Sequence, residues 1–498
     1  MDFFGIPLSA GTAVTVLLAL GLALLFEFVN GFHDTANAVA TVIYTHSLKP
    51  NHAVIWSGLW NLIGVLTSSG AVAFSVTALL PVELILNVGS AAGFAMVFAL
   101  LISAMTWNLG TWYFGIPASS SHSLIGSVLG VGMANSMMLS GGPIFGEGVN
   151  WAKANEVGLS LLISPLAGFC GAAALLLLTK RLIKRPELYR PPVPGQPPPG
   201  WIRGLLIATC TGVSFAHGSN DGQKGMGLIM LILVGLLPGV YALNLETSAS
   251  ELPNVVSSLR DIERVAQHRT HGAAPIAENA VASSELSSFL KTSGTERPET
   301  WVALGTVSAE IGSKLANQAS LSNISVADRR DLRSDLYLVA ETIGKLDRNG
   351  DFTDNNEREQ VQDARRGMDR MTKFIPPWVK LAVAIALGLG TMIGWKRIVV
   401  TVGEKIGKEH LSYAQGAAAE AVAMITIGAA DIYGLPVSTT HVLSSGVAGT
   451  MAANASGLQA ETLRNLALAW LLTLPVCVFL GAMLFALALN LLIAVGLR

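Results

Sequence analysis

Two carboxylates occupy the same position of a repeated segment. Residues 28–43, FVNGFHDTANAVATVI, align without gaps on residues 215–230, FAHGSNDGQKGMGLIM, so that Asp34 is paired with Asp221. An ionised carboxylate inside an apolar helix is costly unless it meets a cation, a proton or a partner. One such residue can equally cap a broken helix, but its repetition favours a functional role. The residues predicted to serve cation coupling are Asp34, Asp221, His33 and Asn220.

A second repeated segment carries hydroxyl side chains. Residues 115–130, GIPASSSHSLIGSVLG, align with residues 434–449, GLPVSTTHVLSSGVAG, and in each a proline precedes three hydroxyl residues and a histidine. Proline suits the first turn of a helix, where free N–H groups and the helix dipole hold anions. The commoner role of a single Ser or Thr is an N-cap or a contact between helices. The predicted anion-binding residues are Asn37, Ser119, Ser120, Ser121, Gln223, Ser438, Thr439 and Thr440.

Other polar residues of the apolar segments form a second rank of candidates. The two repeated histidines could donate to an anion, carry a coupled proton or join neighbouring helices. The acidic residues among these candidates line the pathway of the coupling ion or lie near the membrane interfaces. The secondary candidates are Glu27, His122, Lys224, Glu420, Asp431 and His441.

We predict no fixed metal site and no resident cofactor. The acidic run from Asp347 to Glu357 resembles a calcium loop, but Phe352 stands where an EF-hand requires glycine. We interpret the run as a solvated turn between helices.

The composition indicates the elements that position these residues. Of the 498 residues, 51% are hydrophobic and 13% are charged, and residues 50–82 and 84–146 contain no Asp, Glu, Lys or Arg. Each stretch exceeds the roughly 20 apolar residues that cross a bilayer as a helix. Because backbone groups in lipid must be satisfied internally, the sequence predicts an all-α polytopic membrane protein.

Charge and proline content divide the chain into five parts. Seven prolines and several basic residues make a stiff linker, which the positive-inside rule places in the cytoplasm. A later polar stretch, with apolar residues at helical spacing, predicts a soluble helical insertion. The predicted parts are a first membrane repeat (1–180), the basic linker (181–203), the start of a second repeat (204–244), the insertion (245–375) and the remainder of the second repeat (376–498).

The charges of two corresponding loops predict that the repeats are inverted. Residues 396–408 hold four basic residues, whereas the counterpart, residues 77–89, has only Glu83. Loops that face opposite sides require an odd number of spans in each repeat. We therefore expect two inverted repeats with broken helices and helical hairpins, about 10–12 transmembrane elements in all. One span between the linker and residues 245–375 places the insertion on the outer side.

Four motifs resemble the paired signatures of the inorganic phosphate transporter (PiT) family, most closely its bacterial low-affinity Pit branch. They read NGFHDTANAVATVIY, GIPASSSHSLIG, FAHGSNDGQKG and GLPVSTTHVLSS. The resemblance implies a multi-pass homodimer in the bacterial inner membrane that imports inorganic phosphate by alternating access. It places Asp34, Asn37 and Asp221 at the family's cation and phosphate site, and Ser120, Ser121, Thr439 and Thr440 at its phosphate-binding turns.

The resemblance also bears on the coupling ion. Bacterial Pit members are proton symporters described as carrying phosphate as a neutral divalent metal complex, whereas other branches use sodium. Here Gln223 and Lys224 stand where sodium-coupled relatives typically have Val and Ser followed by Asn. This departure favours protons, because an ammonium group at Lys224 could fill the space of a displaced cation.

Other functions remain compatible with parts of this pattern. The same fold could use sodium, or carry sulfate or arsenate, since similar donors hold each oxyanion. A membrane phosphatase or phosphotransferase that uses Ser and His, with Asp34 as base, is a further alternative. The sequence lacks a nucleophile elbow and a glycine-rich phosphate loop, so we predict that the chain is not an enzyme. A channel is the remaining alternative, and no nucleic-acid partner is expected.

Overall fold

The computed structural model gives positions for most of the chain. It describes residues 2–3, 6–7, 9–34, 36–86, 89–139, 146–147, 149–193, 195–291, 293–352 and 354–496, without the side chains of residues 1–8, 35–37 and 139. Asp2–Phe3 and Ile6–Pro7 pair as a minimal antiparallel ribbon, β1 and β2. The other regular elements of the described residues are helices, apart from one isolated bridge, which confirms the predicted all-α class.

In the first part of the chain, the described residues form eight α-helices. They are α1 (Ala10–Asp34), α2 (Ala36–Tyr44), α3 (Pro50–Thr67), α4 (Ala71–Thr77), α5 (Val82–Leu86), α6 (Ala91–Tyr113), α7 (Ser120–Leu139) and α8 (Trp151–Leu182). Proline occupies the first helical position of α3, where its missing N–H costs nothing. The chain bends by 78° between α3 and α4, and Gly70 there has a φ of 89°.

In the remainder of the chain, the described residues form twelve α-helices. They are α9 (Gly200–Leu236), α10 (Pro238–Tyr241), α11 (Leu252–Arg269), α12 (Asn279–Leu290), α13 (Pro298–Ala316), α14 (Asp328–Asn349), α15 (Asn355–Thr372), α16 (Pro377–Met392), α17 (Lys396–Val400), α18 (Tyr413–Ile432), α19 (Thr439–Asn454) and α20 (Ala460–Ala494). A one-turn π-helix, Thr401–Lys405, follows α17. Helices α11 to α15 enclose an apolar core of their own, which includes Leu332, Leu336, Val339 and Ile343.

Four described helical segments are long and apolar enough to cross a membrane, or up to six if each bent pair counts as one span. The four are Ala10–Tyr44, Ala91–Tyr113, Trp151–Leu182 and Ala460–Ala494, and the bent pairs are α3 with α4 and α15 with α16. Helices α7 and α9 fall outside this set because their repeated motifs are rich in polar residues and glycine. Length and hydropathy alone thus identify fewer elements than the sequence predicts.

The helices that carry the first repeated motif pack in a matched way. Helix α1 lies against α16, and α9 lies against α3. At the first crossing Gly31 approaches the carbonyl oxygen of Leu387 so closely that an added Cβ would overlap it. Gly218, which the alignment pairs with Gly31, approaches the carbonyl oxygen of Asn61 in the same way. Each motif therefore requires glycine where its helix meets a helix of the other half of the chain.

The second motif is packed in the same manner. Helix α7 lies against α20, and α19 lies against α8. A Cβ added at Gly130 would overlap the Val478 carbonyl oxygen, and one at the paired Gly449 would overlap that of Phe169. Backbone atoms cannot move aside as a flexible side chain can, so these crossings tolerate no larger residue.

We therefore expect Gly130→Val to destabilise the protein by about 1–3 kcal/mol or to abolish folding, as overpacking of a tight contact does. The measurement is the apparent midpoint of thermal unfolding of the purified full-length chain in detergent. Gly110→Val is the matched control, because nothing lies within 4 Å of a Cβ at Gly110 of α6. Equal midpoints for the two variants would contradict this view of the crossing.

Candidate transport site

The four repeated segments meet at one buried cluster. Asp34 is the last residue of α1, and Asp221 lies in the middle of α9. Ser120 is the first residue of α7, and Thr440 lies in the first turn of α19. Helices from both halves of the chain thus bring the predicted carboxylates and hydroxyls together.

The first hydroxyl of each run caps its own helix. The Ser119 hydroxyl accepts from the backbone N–H of His122 at 3.2 Å. Likewise, the Ser438 hydroxyl accepts from the N–H of His441 at 3.1 Å. Capping engages the first hydroxyl of each run, whereas Ser120 and Thr440, which follow in the two runs, donate to the Asp34 carboxylate.

Asp34 accepts hydrogen bonds from hydroxyls of both turns. The Ser120 hydroxyl donates to Oδ2 at 2.9 Å, and the Thr440 hydroxyl donates to Oδ1 at 2.5 Å. The imidazole Nδ1 of His33 lies 3.4 Å from Oδ1, and Asp34 is 1% exposed. A carboxylate that is this deeply buried is stabilised by such donors, which join the two motifs around it.

Asp221 forms a buried ion pair. The Lys224 ammonium lies 2.7 Å from Asp221 Oδ1, one turn away on α9, and both side chains are almost fully buried. The same ammonium donates to the Ser121 hydroxyl at 2.5 Å, and that hydroxyl donates to the carbonyl oxygen of Val437 at 2.6 Å. Lys224, ranked second from the sequence, is therefore a central member of the cluster.

Sequence reasoning missed His217. Its Nε2 lies 3.5 Å from Asp221 Oδ2 and 3.9 Å from Asp34 Oδ2, while Nδ1 lies 2.8 Å from the side-chain oxygen of Asn61. The alignment pairs His217 with Asn30, so the repeat gave no matched histidine to notice. Within the part of the chain that the structure describes, Asp34, His217 and Asp221 form the group whose ligand atoms, all within 4.8 Å, could hold a metal ion.

Gln223, Asn220 and Asp431 lie beside this cluster and join helices. The Gln223 amide donates to Asp431 Oδ1 at 2.5 Å, and its oxygen accepts from the Val72 N–H at 2.9 Å. The Asn220 amide donates to the carbonyl oxygen of Leu435 at 3.1 Å. These polar groups therefore fix α9 against α4 and α18 in this conformation.

The two buried glutamates have surroundings of their own. Glu420 accepts hydrogen bonds from the Thr41 and Thr209 hydroxyls, the latter at 2.5 Å. Glu27 lies against Gly225 of α9, and neither of its carboxylate oxygens has a hydrogen-bond partner among the described residues. Both glutamates thus contact α9, at well-separated positions.

The paired histidines contact each other behind the hydroxyl turns. The rings of His122 and His441 lie 4.6 Å apart, and His441 also stacks on Trp470 at 4.2 Å. Thr439, the first residue of α19, is 1% exposed. The side chain of Asn37 lies outside the described residues.

Comparisons with known proteins match almost the whole chain. The profile described as "Phosphate transporter family" matches residues 30–481. The low-affinity inorganic phosphate transporter PitB of Escherichia coli K12 is 39% identical over 497 residues, covering 96% of this chain and 98% of the relative. PitA of the same strain is 38% identical over 502 residues, covering 98% and 99%. A probable low-affinity inorganic phosphate transporter of Bacillus subtilis is 27% identical, covering 94% and 95%.

A solved structure extends the similarity to the fold. It is described as "The sodium-dependent phosphate transporter", has a TM-score of 0.51 and 18% identity, and covers 95% of this chain and 98% of its own. The family and the relatives are transporters, so the chain is not an enzyme, and its apolar helices are those of a multi-pass membrane protein. The resemblance found in the four motifs is confirmed, and the chain belongs to the phosphate transporter family.

Proposed function

We propose that this protein imports inorganic phosphate by secondary active symport with protons. The observation that carries the proposal is the contact of Ser120 and Thr440, one from each hydroxyl turn, with the same buried Asp34 carboxylate. Two helix N-termini of opposite halves that face one point are suited to a tetrahedral oxyanion. No covalent chemistry is required of any residue.

Protonation of Asp34 provides a means of coupling. As a carboxylate, Asp34 is the acceptor of the Ser120 and Thr440 hydroxyls. A proton on Asp34 removes its negative charge and weakens its hold on these donors, which are then available to phosphate oxygens. Because phosphate and the charged carboxylate compete for the same donors, proton and phosphate bind together.

Lys224 supports proton coupling over sodium coupling. Its ammonium already occupies the space between Asp221 and the Ser121 hydroxyl. A tethered cation there offsets part of the phosphate charge and leaves less need for a dissolved one. Sodium symport remains the alternative, and the structural relative is described as sodium-dependent.

A neutral metal–phosphate complex is the form of cargo that we propose. Carboxylate and imidazole donors suit divalent metals, and in the group of Asp34, His217 and Asp221 the last two would face the metal while Asp34 carries the coupled proton. Such a complex lowers the charge that crosses the low-dielectric region. The metal would be cargo and not a fixed part of the protein.

We infer that the two repeats are inverted and that alternating access moves one against the other. The matched crossings of α1 with α16 and α9 with α3 support this arrangement. Helix α9 is continuous over 37 residues, which favours opposite membrane sides for the residues before and after it. The basic linker, 181–203, is then cytoplasmic, and the insertion, 245–375, is outside the bacterial inner membrane. We also propose a homodimer, as the resemblance implies.

Radiolabelled phosphate uptake with competing oxyanions tests the substrate. We expect saturable, concentrative uptake that unlabelled phosphate and arsenate inhibit and sulfate inhibits weakly, since sulfate carries no proton near neutral pH. Stronger inhibition by sulfate than by arsenate would reassign the substrate. Equilibration without accumulation under every gradient would favour a channel.

A further inference from the structure

One ring nitrogen of His217 faces the buried carboxylates without a partner. Its Nε2 is shielded from solvent and has no hydrogen-bond partner among the described residues, although it lies 3.5 Å from Asp221 Oδ2 and 3.9 Å from Asp34 Oδ2. A polar atom buried in this way is costly unless something binds it. A divalent cation between the imidazole and Asp221 would meet that need, because both groups are suitable ligands.

A chain of buried side chains holds the opposite edge of the same ring. His217 Nδ1 lies 2.8 Å from Asn61 Oδ1, and Asn61 Nδ2 donates to the Thr391 hydroxyl oxygen at 3.1 Å. The Thr391 hydroxyl donates in turn to the carbonyl oxygen of Leu387 at 2.9 Å. All three side chains are buried, so bulk water does not compete for these bonds.

The direction of each bond in this chain follows from its last acceptor. A backbone carbonyl only accepts, so the Thr391 hydroxyl gives its hydrogen to Leu387, and its oxygen accepts from the Asn61 amide nitrogen. The amide oxygen of Asn61 is therefore turned toward His217, and it can only accept. Nδ1 of His217 must then carry a hydrogen, which leaves Nε2 as the nitrogen that can bind a metal ion.

The chain of bonds connects the two glycine crossings of the first motif. At one crossing Gly31 closely approaches Leu387 and Thr391 of α16, and at the other Gly218 closely approaches the backbone of Asn61 in α3. Asn61 and Thr391 thus extend from backbone that is tightly packed against another helix. Side chains with such support keep a bound imidazole in one orientation, which a metal ligand requires.

We propose that Asn61 and Thr391 are positioning residues that hold Nε2 of His217 toward the metal of a metal–phosphate cargo. The inference rests on the cargo of the proposed function, and it adds the residues that set the affinity for the metal. Asn61 acts through His217, and Thr391 acts through Asn61. Neither side chain is itself a ligand.

Binding of Mn²⁺ in the presence of inorganic phosphate measures this role directly. Mn²⁺ is paramagnetic, so electron paramagnetic resonance of the purified full-length chain in nanodiscs gives its affinity, and pulsed experiments detect a nitrogen nucleus bound to it. We expect a nitrogen ligand in the unmodified protein and none in His217→Gln. Asn61→Leu should weaken Mn²⁺ binding about 10- to 100-fold, the range for loss of a residue that orients a ligand.

Substitutions of Thr391 separate positioning from packing. Thr391→Val keeps the shape of the side chain without its hydroxyl, so it should weaken both Mn²⁺ binding and the nitrogen signal. Thr391→Ser restores the hydroxyl and should recover most of that loss. Thr106→Val makes the same change at an exposed position of α6 and is the matched control. If Thr391 only joined helices, Thr391→Val would lower the unfolding midpoint with Mn²⁺ affinity and the nitrogen signal unchanged.

The outcomes distinguish this inference from the proposed function. Unchanged Mn²⁺ affinity and nitrogen signal in folded Asn61→Leu or in Thr391→Val would overturn the role of the residue concerned. An unmodified protein in which no nitrogen binds Mn²⁺ would overturn the whole inference, while its uptake of phosphate under a proton gradient would leave the proposed import in place. Nitrogen-bound Mn²⁺ without any phosphate uptake would remove the proposed function and leave the positioning role.

Discussion

Asp34→Asn is expected to abolish concentrative phosphate uptake. The amide keeps the size of the side chain but cannot take up the coupled proton. Its nitrogen is a hydrogen-bond donor, so it cannot accept a hydrogen bond from one of the two hydroxyls. The loss should be at least about 100-fold, the scale for removing a group that carries an essential proton. The measurement is the initial rate of uptake into proteoliposomes, normalised to the amount of inserted protein.

A matched substitution controls for the loss of one carboxylate. Asp363→Asn makes the same change at a side chain that is 58% exposed on α15, and it should leave uptake unchanged. Full uptake by Asp34→Asn would remove Asp34 from the coupling mechanism, whatever the control shows.

Lys224→Met is expected to reduce both stability and uptake. It leaves Asp221 as a buried carboxylate without its ammonium partner, which typically costs about 3–5 kcal/mol. Uptake should fall more than tenfold, since the methyl thioether cannot offset the phosphate charge. Thermal unfolding and proton-driven uptake of the same preparation measure the two effects.

A double variant tests whether Lys224 acts only by balancing Asp221. Lys224→Met with Asp221→Asn removes both charges, so the unfolding midpoint should recover while uptake does not. Lys314→Met, which changes a lysine of the insertion that is 33% exposed, is the control. If the double variant recovered uptake together with stability, Lys224 would only balance Asp221 and would have no part in transport.

Much of the candidate site could be predicted from the sequence, because its residues lie in the repeated segments. Because Asp34 and Asp221 occupy matched positions, they could be selected before any contact was known, and the hydroxyl runs pointed to Ser120 and Thr440. His217 could not be selected in this way, since its partner in the alignment is Asn30. The Ser438 hydroxyl could cap α19 or donate to an anion, and the residue type does not decide between these two roles. In the structure it caps the helix.

Long-range contacts limited what could be predicted of the rest. Glu420 takes its hydrogen bonds from Thr41 and Thr209, which lie in distant segments, so its surroundings depend on the packing of α2, α9 and α18. Helix formation in the polar stretch 245–375 follows from composition and periodicity. The 78° bend after α3 depends on a left-handed Gly70, one glycine among 51 in the chain.

Proton-driven phosphate symport is tested most directly by radiolabelled phosphate uptake into proteoliposomes of the purified protein. A proton gradient, a sodium gradient or neither is imposed, each with and without magnesium. We predict accumulation above equilibrium with the proton gradient alone, enhanced by magnesium. Accumulation driven by sodium and not by protons would contradict the account, and so would none under either gradient with folded protein.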